Sequence, residues 1–159
     1  MTELPDGDTL LGLLGSPASA PALHELLKTI GALPLPAFAP DDAIVSYRDL
    51  DAGYEIQLRD AGSLPTATAL ASGTPVLFTA FFYSGLVSGY GRFAARLPRD
   101  LSWADTEHAT VAKMGPASLV TAYKDTGSVR AQRWTLETAY LTASFTKDGA
   151  LYQVSLAYN

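Results

Sequence analysis

The sequence predicts an α+β protein: an antiparallel sheet built from two helix-plus-β-meander repeats, with helices on one face and the other face open. Three observations lead there. Two stretches carry apolar residues at helical spacing and close on a glycine, and the segments downstream of each alternate with period two. The second half also repeats the first: residues 47–62 lie over 134–149 at an offset of 87 positions, and the helix-ending Gly31 and Gly115 are 84 apart. Self-similarity of this kind marks a duplicated structural unit. Finally, two or three short helices cannot cover both faces of a six- to eight-strand sheet. The chain is therefore expected to form one domain over 1–159, with repeat one at about 9–93 and repeat two at about 97–159.

In chain order, Thr9 is expected to cap a short apolar turn over 10–14, ended by Gly15 and Pro17. Ser19 is the predicted N-cap of the next helix, with Pro21 in its first turn and Leu23, Leu26, Leu27 and Ile30 on one face. Gly31 provides the left-handed stop. Residues 33–40, rich in proline, form a crossing loop. Strands are predicted over 43–47, 54–59 and 76–83, the last apolar on both faces like a central strand. Asp105 or Ser102 caps the second helix, which ends at Met114-Gly115-Pro116, and strands follow over 119–123, 130–136, 141–146 and 152–158. Asp148-Gly149 is the strongest hairpin signal in the chain.

Composition excludes several classes of function. The chain has no cysteine, and so no disulfide, thiolate metal site or cysteine nucleophile. Its N-terminus has no signal-peptide pattern, and no apolar run approaches the roughly 20 residues that span a bilayer, so the expected compartment is the cytoplasm. A net charge of −5 disfavours the phosphate backbone of nucleic acids and favours encounter with a basic partner. Arg92, Arg96 and Arg99 read as an ordinary solvated cluster.

Motifs for chemistry are weak. Ser88 sits directly beside Gly89, which is not the spacing of a nucleophile elbow, and Gly89-Tyr90-Gly91 lacks the third glycine of a dinucleotide loop. His24 and His108 occupy matching positions in the two helices but have no second ligand pair at metal spacing. Asp41, Asp42, Asp49 and Asp51 read as turn residues. No catalytic residue, metal ligand or cofactor is expected.

The aromatics carry more. Phe78, Phe81, Phe82, Tyr83 and Tyr90 cluster around a Gly/Ser-rich segment present only in the first half. Alternation places Val76, Phe78, Ala80 and Phe82 toward the helices. It places Leu77, Thr79, Phe81 and Tyr83 on the open side with Glu55, Gln57, Arg59, Arg133, Thr142 and Ser144. Tyrosine, phenylalanine and arginine among short polar residues suit a binding surface, and a second core layer covered by loops fits the same pattern. On the first reading Phe81, Tyr83, Tyr90, Arg59 and Arg133 are the contact residues, and losing Phe81 and Tyr83 removes binding without lowering stability.

Residues Leu97-Pro98, Leu101, Asp105-Thr106, Val111 and Gly115-Pro116 resemble a recurrent bacterial pattern, that of the beta-lactamase-inhibitor-protein-like and small outer-membrane-assembly-lipoprotein-like folds. The 134–156 meander is similar to the strands that follow it there. The Leu13-Leu14-Gly15-Ser16-Pro17 run resembles chains held to be immunity proteins, encoded beside bacterial polymorphic toxins. The likeness covers about two-thirds of the chain, and its matched residues are helix caps and stops. It departs from both named families in lacking disulfides, signal peptide and acylated cysteine. The resemblance implies a cytosolic, non-enzymatic protein-binding protein, an immunity protein that inhibits a toxin or effector through its open sheet face. The alternative is a small-ligand-binding or housekeeping domain.

Overall fold

The computed structural model describes residues 5–64 and 69–159; residues 1–4, on which the expectation about the N-terminus partly rests, and 65–68, within repeat one, lie outside the described residues. Two helices, α1 (Gly7–Leu13) and α2 (Pro21–Thr29), precede the strands β1 (Ile44–Asp49), β2 (Tyr54–Asp60) and β3 (Pro75–Tyr83). A third helix, α3 (Glu107–Met114), precedes β4 (Leu119–Ala122), β5 (Val129–Thr135), β6 (Ala139–Phe145) and β7 (Leu151–Tyr158). The strands form one antiparallel sheet in the order β1-β2-β3-β7-β6-β5-β4. The fold is thus α+β, with an open sheet. Among the described residues no helix is long and apolar enough to cross a membrane.

The caps differ from those expected. The Asp6 carboxylate, not Thr9, accepts the first free amides of α1, from Asp8 and Thr9. Ala20 occupies the cap position of α2 with no side-chain bond, so Ser19 does not cap it. At α3 it is Thr106 that accepts from the Ala109 amide, because Asp105 is engaged by the Ser102 amide and by Lys113.

The helices bury one face of the sheet. Leu10, Leu23, Leu27 and Ile30 share a core with Ile56, Leu58, Phe82, Leu141, Val154 and Leu156. Burying each such side chain contributes about 1.5–3 kcal/mol relative to exposure. In β6 the burial alternates strictly, one face inside and the other half-exposed. Polar contacts fix the helices in place. Tyr47 Oη donates to the Ile30 carbonyl (2.8 Å) at the end of α2, and Trp134 Nε1 to the Gly115 carbonyl (2.9 Å) at the end of α3. The buried Gln132 side chain bonds Thr110 Oγ1 at 2.5 Å and donates to the Glu107 carbonyl at 3.2 Å.

One stretch departs from simple alternation. The pairing of β2 with β3 shifts register: Gln57 faces Thr79 but Leu58 faces Leu77, leaving Phe78 as the extra residue of a β-bulge. Leu77, and not Phe78, therefore joins Ala80 and Phe82 in the core. Phe78 turns to the opposite face, where the Arg59 guanidinium lies 4.9 Å from its ring centroid. Val76, paired opposite Arg59, goes to that face as well, and not under the helices as alternation places it.

Candidate functional site

The face away from the helices is assembled by strand register. One row crosses all seven strands: Leu119, Arg133, Thr142, Ser155, Phe81, Glu55 and Arg48 stand on successive neighbours. A second row runs Thr135, Tyr140, Ala157, Thr79, Gln57 and Ser46. Short side chains fill the middle of both rows, Thr142 and Ser155 in the first and Ala157 and Thr79 in the second, so the aromatic and charged groups stand at defined places among them.

The aromatic part is a stacked strip. The Phe81 and Tyr83 rings, two residues apart on β3, lie 6.5 Å apart at 18°. Tyr90 then stacks on Tyr83 at 3.9 Å and 24°. Tyr90 reaches it because the segment 84–93 folds back over the β1–β2 hairpin. The Gly91 amide donates to the Leu50 carbonyl (2.7 Å), and the Phe93 amide to the Tyr83 carbonyl (2.9 Å). That approach requires two glycines. A Cβ on Gly53 would stand 2.1 Å from the Gly91 carbonyl oxygen, and one on Gly91 would stand 2.2 Å from that of Asp51. Gly53 also has φ +76°, which other residues rarely adopt. Beyond Tyr90 the chain drops Phe93 into the core, 4.7 Å from Phe82 and 6.0 Å from Tyr54. The loop is thereby clamped from both faces.

Charge is arranged around the strip. Glu55, only 5% exposed, accepts from Arg48 Nε through one oxygen and from Gln57 Nε2 (2.9 Å) through the other. The Arg48 side chain is 60% exposed. Its guanidinium is held above the ordinary arginine value by the hydrogen bond and charge of Glu55, with a smaller part from Tyr90. Burial pushes the Tyr83 phenol up, reinforced by Tyr90 and Glu55. Arg59 donates to Ser63 Oγ (3.2 Å) while stacked on Phe78. Arg133 lies 4.6 Å from the Tyr140 ring centroid, with its Nε buried and without an acceptor.

The five residues expected at the contact thus share one face. Phe81, Tyr83 and Tyr90 come together, with Arg59 and Arg133 toward opposite sides of the strip. Tyr83 is 9% exposed, sandwiched between its two neighbours, so its loss would also disturb packing. Glu55, Arg48 and Tyr140 join the site without having been singled out. Alternation places Glu55 on the same side as Phe81, the register sets the two opposite each other, and Tyr140 stands diagonally from Arg133 across β5 and β6.

The histidines stay apart. His24 borders an open apolar cleft of about 600 Å³ with Leu33, Leu35 and Pro75, and the His108 side chain, 93% exposed, lies 4.0 Å from the Glu107 carboxylate. Among the described residues no three His, Asp or Glu side chains gather as a metal site. No protein-family model matches the chain, and no curated protein matches it. Among solved structures it is similar to a DUF4309 family protein, YjgB, from Bacillus subtilis subsp. subtilis str. 168. That likeness has a TM-score of 0.45 at 12% identity, covering 86% of this chain and 77% of that one.

Proposed function

We propose that the chain is a non-enzymatic protein-binding protein that docks a partner on its open sheet face. The observation that carries this reading is the Phe81–Tyr83–Tyr90 strip, stacked on a face that the helices leave uncovered and flanked by arginines. Preordered aromatic rings lose little conformational freedom on binding, and aromatic residues and arginine dominate the energetics of protein interfaces. The specific role is that of a bacterial cytosolic immunity protein occluding a toxin or effector, a role supported by the sequence resemblance at Leu13-Leu14-Gly15-Ser16-Pro17.

The scaffold is, on this proposal, a duplicated helix-plus-meander unit. With the edge strand β4 left aside, the strand order is symmetric about the β3–β7 pair, β1-β2-β3 on one side and β7-β6-β5 on the other, and β4 has no counterpart among the described residues of the first half. Tyr47 and Trp134, 87 positions apart, each donate to the carbonyl that ends the preceding helix, Ile30 and Gly115, which supports common descent of the halves.

The test is co-expression with the product of the neighbouring gene. A complex that elutes as one species, and that Phe81→Ala/Tyr90→Ala abolishes without lowering the melting temperature by more than a few degrees, is the expected result. Failure of the wild-type chain to bind, or binding that the double variant leaves intact, would refute it.

A further inference from the structure

The open face is positive although the chain is acidic. At the paired positions of the described strands its charged side chains are Arg48, Arg59, Arg133 and Glu55, three cations against one carboxylate, in a chain of net charge −5. Arg130, the unpaired residue of a bulge in β5, is exposed beside the Tyr123 ring. Glu55 is already matched, held by Arg48 and Gln57. Arg48 engages it through Nε alone, so its two terminal amino groups make no bond to the described residues. Arg59 and Arg133 form no ion pair among the described residues; each rests on an aromatic ring instead. Three arginines are thus held in place by rings or by a buried acid, with donor groups left over. That is how a surface is prepared for carboxylates, which arginine binds through paired N–H donors.

Resting on the docking reading above, we infer that the partner presents an acidic protein segment to this face, with carboxylates on either side of an apolar or aromatic stretch. Arg48 and Arg133 stand on the same row, five strand spacings apart, which at about 4.8 Å each is roughly 24 Å. An extended segment of about seven residues spans that distance across the strands. Its middle lies over Phe81, beside the stack with Tyr83 and Tyr90. The net charge of the whole chain points the other way, to a basic partner. At contact, however, the local face decides, because exposed charges beyond about 8 Å are screened at physiological salt. A nucleic acid is the poorer occupant: its continuous phosphate charge would extend past these few cations onto the acidic remainder of the molecule.

The experiment is selection of random dodecapeptides on the intact 159-residue chain, on Phe81→Ala/Tyr90→Ala and on Arg59→Gln/Arg133→Gln. Arg48 is left in place because its removal would strand Glu55. The expected peptides depend on Phe81 and Tyr90, carry Asp or Glu flanking an apolar centre, and bind Arg59→Gln/Arg133→Gln about tenfold more weakly, a difference of about 1.4 kcal/mol. Arg59→Lys/Arg133→Lys keeps the charge but loses the paired donors, so it binds at a strength between wild type and the glutamine variant, and the melting temperature of each variant checks that it is folded. Several results would overturn the inference while leaving the docking face intact. These are selected peptides rich in Lys and Arg, indifference to the glutamine variant, or losses with lysine as large as with glutamine. Displacement of the peptides by an oligothymidylate would assign the face to nucleic acid and overturn it too. Peptides indifferent to Phe81→Ala/Tyr90→Ala would refute the docking reading itself.

Discussion

Leu77 and Phe78 exchange places because one residue of β3 has no partner across from it in β2. The consequence is measurable residue by residue. Leu77 is fully buried among core side chains, so Leu77→Ala is expected to cost about 2–5 kcal/mol. Phe78 is half-buried on the open face, and Phe78→Ala should cost clearly less, despite removing the larger side chain. Urea unfolding of the two variants checks the order; the reverse order would restore the unbulged register. Alternation alone could not reveal this, since the run Val76-Leu77-Phe78 is apolar at every position and a bulge leaves no mark in such a run. Caps show the same ambiguity. Several Ser, Thr and Asp residues near α3 could accept an amide, and Thr106 does so because Asp105 is engaged elsewhere. Residue type narrows the choice to a few neighbours, and backbone geometry makes it.

At the scale of elements, all seven strands were legible, because alternation is imposed by burying one face and survives small errors at the ends. The Asp148-Gly149 hairpin was legible for a local reason: Gly149 adopts φ +88° and its amide donates to the Thr146 carbonyl (2.9 Å). The segment 84–93 was not. Its sequence announces turns, but its docking depends on Gly91 meeting Gly53, far away in the chain, and on Phe93 entering a core formed by other elements. The site was therefore half visible: Phe81, Arg59 and Arg133 follow from strand period, whereas the stack of Tyr90 on Tyr83 follows from a loop closure that no periodicity encodes. That closure can be tested through its glycines. Gly53→Ala meets both a steric conflict and a left-handed backbone, a conformation that alone costs roughly 1–2 kcal/mol. It should destabilise by about 2 kcal/mol or more and speed hydrogen exchange at the Gly91 and Phe93 amides. Gly91→Ala should act on the same amides, whereas Gly12→Ala, on α1 with open space around it and no left-handed backbone, should not raise their exchange. Fast exchange at Gly91 in the wild-type protein would contradict the clamp.

For the whole molecule, the two tyrosines on either side of the sheet couple stability to alkaline pH. Tyr54 is buried on the helix face and Tyr83 on the open face, and burial raises both phenols above the ordinary tyrosine value of 10.0. In the folded state both stay neutral where the unfolded chain has begun to ionise. Once pH passes 10.0, the unfolded chain therefore holds fewer protons than the native one, and stability falls with further rise. Below that value the two groups are neutral in both states, and their contribution is fully present and constant. The unfolding midpoint in urea is accordingly expected to drop between pH 10.0 and about one unit above it, and Tyr54→Phe/Tyr83→Phe should flatten that drop. The phenylalanines keep both ring stacks, so the double variant separates ionisation from packing. Tyr83→Phe alone should remove part of the slope and also leave the strip able to bind, since Tyr90 stacks on a ring and not on a hydroxyl. An alkaline slope unchanged in the double variant would mean that other groups drive it, and would dissociate the burial of these two phenols from the stability of the fold.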